Sequence, residues 1–358
     1  MKSNYNQLGQ YIEMISRTNS DLKYGIEDVR GCSNTKQMMQ TRANLIGRTY
    51  EKFIVLRPQE FVFNRRTTRN GEKIGMAYNN TDREYIFTND YVAFRVKQEY
   101  LDKLLPDYLY MFFCRDEFDR YARYKSTGSA TEFFNWEDMC AVPFEIPPMD
   151  FQQLVVNAYK VLNERIETKQ KINDNLEATA FAIYRETFIT SRSANWNKGT
   201  LSDLLAVKYG KDHKHLADGT IPLYGSGGIM RYVEKSLYDK VSVLIPRKGT
   251  LSNVLYVDEP FWSVDTMFYT EISKPYAAKF IYYFVKSKDL AGMDTGSAVP
   301  SMSSEIIHSM ELDIPDDKTL ISFDKCLCPL YKQIKINNQE CDKLKSLQGI
   351  LLTTISSR

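Results

Sequence analysis

The sequence has little of the side-chain chemistry on which catalytic and metal-binding sites depend. Its 358 residues include only three histidines and six cysteines, with no Cys-x-x-Cys pair and no His-Glu-x-x-His motif. It also lacks the phosphate-binding Gly-x-x-x-x-Gly-Lys-Ser/Thr loop, the Gly-x-Ser-x-Gly nucleophile turn and the catalytic tetrapeptide of adenine methyltransferases, Asn or Asp before Pro-Pro-aromatic. We therefore expect no catalytic residue, no metal and no cofactor bound by this chain.

No apolar run approaches the roughly 18 residues of a membrane span, and the first residues lack the apolar segment of a secretion signal. We therefore expect a cytoplasmic protein with reduced thiols and no membrane partner. Lys and Arg number 47 against 45 Asp and Glu, a net charge of +2, so any basic surface must be local. With 43% apolar residues the chain is typical of soluble globular proteins, and its length favours two to four domains.

What the sequence does contain is an internal repeat. Four short matches occur in the same order along the chain, at offsets of 164 to 172 residues. They pair 108–113 with 280–285, Thr127-Gly128-Ser129-Ala130 with Thr295-Gly296-Ser297-Ala298, Ile146-Pro147 with Ile314-Pro315, and Lys171-Ile172-Asn173 with Lys335-Ile336-Asn337. This order predicts two tandem copies of one unit. Each copy reads as short strands and turns, then a tyrosine-rich helix (about 106–120 and 275–288), then a long helix.

The two long helices carry narrow apolar stripes. From Val155 to Ile183, and again from Leu320 to Leu344, the stripe residues recur at alternating steps of three and four. This spacing is typical of a coiled-coil seam, so we expect the two helices to pair; the alternative is that each packs only on its own globular domain. Pro329 should kink the second helix or delay its start. The predicted seam residues are Leu162, Ile166, Asn173, Leu176, Leu327, Ile334, Asn337 and Leu344, with Asn173 and Asn337 fixing the register.

Cations cluster in turn-rich segments of both copies. Arg247 and Lys248 directly follow an apolar strand, and Gly225-Ser226-Gly227-Gly228 reads as a turn that needs a positive φ rather than as a nucleotide cradle. Such loops can place Arg and Asn on base edges and Lys on phosphate, although any single residue can instead belong to a solvated charged surface. The candidate DNA-binding residues are Arg65, Arg66, Arg69, Asn70, Lys73, Lys125, Thr127, Ser129, Lys211, Lys214, Tyr224, Ser226, Arg231, Arg247, Lys248, Thr250 and Ser297.

Four segments of the second copy, in order, carry a resemblance to a known family. They are Ile221–Ile229, Ile245–Thr250, Phe261–Thr266 and Gly296–Ser301. Together they resemble the target-recognition domain of type I restriction-modification specificity subunits, and the helix after Ile314-Pro315 is similar to that family's helical spacer. In the first copy Gly128-Ser129-Ala130, Ile146-Pro147 and the long helix match, while the glycine-rich turn does not.

The resemblance implies an α+β fold with two mixed α/β globular target-recognition domains separated by two long antiparallel coiled-coil helices, related as a pseudo-twofold internal repeat. The expected boundaries are 1–147 for the first recognition domain, 148–192 for the first helix, 193–315 for the second domain and 316–358 for the second helix. Each domain would read half of a bipartite site in double-stranded DNA. The helices would set the spacer between the halves and dock two methyltransferase (M) subunits.

In this family the cofactors belong to the partner subunits. The M subunits use S-adenosylmethionine, and restriction/motor (R) subunits that can join the complex use ATP and Mg²⁺. Two alternatives remain open from the sequence. One is an interaction scaffold without specific readout, such as an inactive or silent allele of a specificity subunit. The other is a nuclease whose motif is not recognised.

Overall fold

The computed structural model of the chain describes residues 6–41, 45, 47–66, 73–128, 132–293 and 301–356. The chain divides into two units: unit 1 comprises Met1–Thr168 with Glu340–Arg358, and unit 2 comprises Lys169–Gln339. Both division points fall within the two long helices, so each unit contains one segment of each helix. In the described part of the chain, no helix combines the length and the apolar character needed to cross a membrane.

Unit 1 combines eight described strands with three short helices and its share of the long ones. The strands are β1 (Ile12–Ile15), β2 (Arg30–Cys32), β3 (Met38–Gln40), β4 (Ile54–Leu56), β5 (Phe61–Asn64), β6 (Met76–Tyr78), β7 (Tyr85–Phe87) and β8 (Tyr91–Val96). The helices are α1 (Pro106–Phe113), α2 (Asp116–Lys125), α3 (Trp136–Cys140) and α4 (Met149–Arg185). Phe61 and Phe94 stack at 5.0 Å between ring centroids, and α1 covers this pair with Phe113, so the sheet packs its aromatic face on the helices.

Unit 2 likewise combines short strands, short helices and segments of the two long helices. Its strands are β9 (Asn197–Thr200), β10 (Leu205–Tyr209), β11 (Asp218–Gly225), β12 (Gly228–Val233), β13 (Ser242–Pro246), β14 (Leu255–Val257), β15 (Trp262–Ser263), β16 (Met267–Ile272) and β17 (Glu311–Ile314). The helices are α5 (Ala278–Lys286), α6 (Ser304–His308) and α7 (Asp317–Ser356). The central core packs α5, with Phe280 and Tyr283, against β13 and against Tyr184 of α4 and Phe323 of α7.

The two units share one sheet topology. In unit 1 the antiparallel order is β1-β8-β5-β6, and in unit 2 it is β10-β16-β13-β14. The helix after the sheet also recurs: α3 begins at Trp136 and α6 at Ser304, an offset of 304 − 136 = 168. Each of these helices is capped one residue earlier, at Asn135 and at Ser303. The predicted duplication of a mixed helix-and-sheet domain is therefore confirmed.

The long helices begin at equivalent residues. Met149 opens α4 and Asp317 opens α7, again 168 residues apart, and α4 continues through a π-helical turn at Glu186–Thr190. Of the two expected effects of Pro329, a kink or a later start, the later start is excluded, because Pro329 lies inside α7. A proline removes one backbone donor, which leaves the carbonyl of Lys325 without its helical partner. Pro329 is exposed, so water can satisfy that carbonyl.

Within each unit the segments of α4 and α7 run antiparallel. In unit 1, Asn163 bonds Gln348 and Arg165 pairs with Glu340; in unit 2, Asn173 bonds Asn337 and Tyr184 contacts Phe323. In both units the partner number falls as the residue number in α4 rises. The predicted seam residues are all buried or half-buried: Leu162, Ile166, Asn173, Leu176, Leu327, Ile334, Asn337 and Leu344.

Candidate nucleic-acid interface

In unit 2 the candidate interface begins where β13 ends. All five residues of β13 are buried, which anchors the strand, and Arg247 and Lys248 follow it directly. The chain then turns at Gly249, whose φ of +87° lies in the left-handed region that favours glycine. The backbone amides of Arg247 and Lys248 both donate to the carbonyl of Thr266, which fixes the start of the loop beside the beginning of β16.

A second turn lies against this loop. Strands β11 and β12 form a hairpin in which Gly225 pairs with Gly228, and Gly228 has a φ of +108°, so the predicted positive-φ turn is confirmed. The Asn253 amide donates to the carbonyl of Ser226 at 2.9 Å. A Cβ placed on Gly249 would lie 2.9 Å from Ser226 Oγ, so the two turns are in close contact. The structure thereby brings together five predicted residues: Tyr224, Ser226, Arg247, Lys248 and Thr250.

The charges of this cluster are available to an anion. Arg247 donates to the carbonyl of Asp265 at 3.0 Å and its guanidinium lies 5.5 Å from the ring centroid of Tyr209, while Lys248 is exposed. Neither cation forms an ion pair with any residue that the structure describes. Burial raises the pKa of Tyr224 to about 12, so its hydroxyl stays neutral and can both donate and accept.

Three further candidates of unit 2 lie at the other end of the β11–β12 hairpin. The Arg231 guanidinium donates to Asp218 at 2.9 Å and to the carbonyls of His213 and Leu216, so its donors are used inside the unit. Lys211 and Lys214 are exposed on the loop that Arg231 holds. We interpret Arg231 as a residue that shapes this loop, whereas the two lysines can contact phosphate.

In unit 1 the cations occupy the equivalent end of the sheet. Strand β5 takes the place of β13, and Arg65 and Arg66 follow it directly. The Arg65 guanidinium lies 5.9 Å from the ring centroid of Phe133, and Arg66 lies 3.8 Å from Asp90 in an exposed ion pair. Thr127 exchanges backbone hydrogen bonds with Phe133 at 2.9 and 3.2 Å. Phe133 therefore contacts Arg65, Arg66 and Thr127.

The strand-end loops of the two units are held in the same way. Arg66 forms a β-bridge with Phe133, and Lys248 forms one with Ser301. Since 301 − 133 = 168, these bridge partners are repeat equivalents. The structure therefore places one pair of cations at the same position of the same sheet in each unit.

The remaining candidates lie apart or outside the described residues. Lys73 pairs with Asp116 at 3.5 Å, and the half-buried Lys125 lies 5.9 Å from the ring centroids of Tyr121 and of the exposed Tyr124. Four candidates fall outside the residues that the structure describes: Arg69, Asn70, Ser129 and Ser297.

Sequence reasoning missed several residues beside the strand-end loops. Tyr209 and Phe133 contact Arg247 and Arg65, and Asn253 joins the two turns of unit 2. On β12, the neighbouring large apolar side chains of Ile229 and Met230 are 49% and 58% exposed. The two apolar residues directly after the glycine-rich turn were the signal available in the sequence, because an apolar pair next to a turn cannot have both side chains on one buried face.

The cysteines and acids of the described residues offer no metal site. All six cysteines are free thiols, and burial raises the pKa of Cys114 to about 11 and that of Cys32 to about 12, which keeps both protonated. Within the described ranges, no three His, Cys, Asp or Glu side chains lie close enough to hold a metal ion.

Comparisons with known proteins agree with this arrangement. The family model for the type I restriction modification DNA specificity domain matches residues 34–178 and 193–346, one match in each repeat. The specificity subunit of the type I restriction enzyme MjaIX from Methanocaldococcus jannaschii is 22% identical over 298 residues, which are 70% of this chain and 68% of that protein. The crystal structure of a type I restriction-modification S subunit from M. genitalium has the same fold, with a TM-score of 0.54 at 15% identity over 98% of this chain and 96% of that one.

Proposed function

Because the chain belongs to the type I restriction-modification DNA specificity family and carries its domain twice, we propose that each unit reads one half of a bipartite DNA site. Recognition of DNA sequence is the role of this family. The two recognition domains are proposed to span 1–147 and 193–315, joined to helical segments 148–192 and 316–358. The observation that carries the proposal is the recurrence of two cations at one strand end: Arg65 and Arg66 in unit 1, Arg247 and Lys248 in unit 2.

The chemistry of the strand-end loops suits base and phosphate contacts. Arg247 can present its remaining donors to a guanine edge, because Tyr209 and the Asp265 carbonyl limit the positions of its guanidinium. Lys248 and Thr250 are exposed at the turn and can contact phosphate oxygens. Each good bidentate base contact contributes about 1–3 kcal/mol of discrimination, so a few such residues per unit are sufficient for a half-site of several base pairs.

The chain is proposed to recognise DNA without performing a reaction on it. Two M subunits that bind S-adenosylmethionine would dock on the paired helices and methylate an adenine flipped out of the duplex. R subunits that use ATP and Mg²⁺ would join the same assembly. The helices would determine the spacer: one heptad inserted near Glu167 should lengthen the preferred spacer and leave both half-sites unchanged, and loss of binding at every spacer length would refute this part of the proposal.

The test is methylome sequencing of cells that express this chain with its M subunit. The proposal predicts one methylated motif with two specific halves and a fixed, unread spacer. Salt-dependent binding of the assembled complex to random duplex without any preferred motif would instead support the scaffold. Methyl transfer or cleavage by the purified chain alone would support an enzyme.

A further inference from the structure

Unit 1 contains an open cavity of about 680 Å³ between its sheet and α4. Its floor includes the rings of Tyr78 on β6 and Tyr110 on α1, which stack at 5.2 Å between centroids and 24° between planes. Four acids line it (Asp82, Asp107, Glu164 and Glu167) against one lysine, Lys160, among the described lining residues. The cavity is therefore aromatic at its base and acidic at its rim.

Most of this negative charge is uncompensated. Asp107 pairs with Lys160 at 3.2 Å, but Asp82, Glu164 and Glu167 form no ion pair with any residue in the described ranges. Tyr78 is only 5% exposed, yet its hydroxyl makes no hydrogen bond within those same ranges. The Tyr78 hydroxyl and three free carboxylates around one cavity leave acceptors for a ligand that donates hydrogen bonds and carries positive charge.

Unit 2 has the same aromatic pair. Tyr256 pairs with Val243 of β13 as Tyr78 pairs with Phe61 of β5, and Tyr282 matches Tyr110 at the repeat offset of 172. The rings of Tyr256 and Tyr282 lie 6.2 Å apart. The aromatic floor is thus a feature of the repeated fold.

In unit 2, however, the chain supplies its own cations at this place. The Lys279 ammonium lies 5.5 Å from the ring centroid of Tyr256, 5.4 Å from that of Tyr331 and 2.6 Å from Asp324. Lys335 of α7 then pairs with Asp258, at the end of β14, at 3.2 Å. An ammonium group between aromatic faces and a carboxylate is stabilised by both, and the interaction with the rings is stronger when the ammonium is shielded from water.

Both lysines are acids in unit 1. At the offset of 172, Lys279 corresponds to Asp107. Counted from the helix starts at Met149 and Asp317, Lys335 occupies the position of Glu167, one helical turn before its sequence match Lys171. Unit 2 therefore has the buried Lys279 and the exposed Lys335 at this place, whereas unit 1 has two acids there and an open cavity. Lys160 compensates only one of the acids, because it is committed to Asp107.

We propose that the cavity of unit 1 is a docking site for a lysine or arginine side chain presented by a basic segment of a partner protein. The incoming cation lies beside Tyr78, as Lys279 lies beside Tyr256 in unit 2, and is paired with Glu164 and Glu167. DNA does not fit this site, because four carboxylates would face its phosphates. The site is separate from the strand-end cations, and it makes unit 1 different from unit 2 in the partners that it can bind.

The test measures binding of a fluorescein-labelled peptide, Gly-Arg-Gly-Lys-Gly, to the full chain by fluorescence anisotropy. A matched peptide with citrulline and norleucine in place of arginine and lysine removes only the charges. We expect the basic peptide to bind at least about tenfold more tightly than the neutral one, and its affinity to fall as salt is raised. Equal binding of the two peptides would overturn the proposal.

Two variants locate the binding. Glu167→Lys places a cation where unit 2 has Lys335, at an exposed helix position that tolerates the change. It should weaken binding of the basic peptide about fivefold or more. Glu99→Lys makes the same charge change at an exposed residue outside the cavity lining and should alter the affinity by less than about twofold. Equal effects of the two variants would assign the binding to bulk charge and contradict the proposal. The methylated motif should be the same in both variants, so a failure here is distinguishable from a failure of DNA recognition.

Discussion

The side-chain amide of Asn337 donates a hydrogen bond of 2.8 Å to Asn173 Oδ1, joining α7 to α4 within unit 2. Asn337 is 1% exposed, and its Oδ1 accepts from Lys169 at 3.2 Å and from Gln333 at 2.9 Å. Both the side-chain oxygen and the side-chain nitrogen of Asn337 therefore have hydrogen-bond partners. A satisfied polar residue in an apolar seam favours one register, because any shift would leave these groups unpaired.

Removing this amide should destabilise unit 2. Asn337→Ala leaves Asn173 and Lys169 without their buried partner, and the free energy of unfolding should fall by about 1–3 kcal/mol. Urea unfolding followed by circular dichroism measures the change. Asn175→Ala is the matched control, since Asn175 is exposed on α4 and should change the stability by less than about 0.5 kcal/mol. A loss for Asn337→Ala no larger than the control's would contradict the role of the seam amide.

Replacing Arg247 or Lys248 of the unit 2 loop should affect DNA binding in different ways. Arg247→Ala should weaken binding of the assembled complex to its own site by about 5- to 150-fold and relax one base position, because a base contact is lost. Lys248→Ala should weaken all sequences alike and reduce the salt dependence by about one phosphate contact. Gel-shift titrations at several salt concentrations separate the two effects. Lys198→Ala, at an exposed position of β9, is the control. If Arg247→Ala binds DNA as this control does, Arg247 makes no base contact and contributes only to the surface charge.

Arg231 is predicted to stabilise the fold of unit 2 rather than to read bases. Its guanidinium bonds Asp218 and two carbonyls of the loop before β11, so Arg231→Ala should lower the free energy of unfolding by about 1–3 kcal/mol. The methylated motif should be unchanged in the fraction that stays folded. A relaxed base in the motif with unchanged stability would reverse this assignment.

The stability of unit 1 should depend on pH through Glu84. The Tyr24 hydroxyl donates to this carboxylate, and Arg57 lies 3.2 Å away, which together hold the pKa of Glu84 below its usual value of 4.5. A carboxylate whose pKa is lower in the folded state stabilises the fold above its unfolded pKa and loses that contribution as the pH falls through the folded pKa. Glu84→Gln should therefore flatten the decline in unfolding free energy below about pH 4.5. The exposed Glu27→Gln is the control, and equal slopes in wild type and both variants would contradict the prediction.

The sequence alone was sufficient to predict the repeat and the two long helices, because both depend on the spacing of residues along the chain. The alternation of threes and fours from Val155 to Ile183 needs no tertiary information, and offsets near 168 locate α4 and α7. Pro329 does not delay the start of α7, because an exposed helix position can lose one hydrogen bond to water at a cost that the long helix tolerates.

The candidate interface was predictable only in part. Arg247 and Lys248 follow an apolar strand in the sequence, so their position at a strand end was accessible. The use of the Arg231 donors and the contact of Phe133 with Arg65 depend on residues 13 to 68 positions away, and no local pattern reports such partners. The cavity of unit 1 was invisible for the same reason: its tyrosines and acids come from β6, α1 and α4.

The most direct measurement is an exchange of residues 193–315 for the corresponding segment of another family member, followed by methylome sequencing. If each unit reads its own half-site, one half of the motif should change to that of the donor, and the other half should stay as it was. A motif in which both halves change, or in which neither does, would contradict modular reading by two separate units.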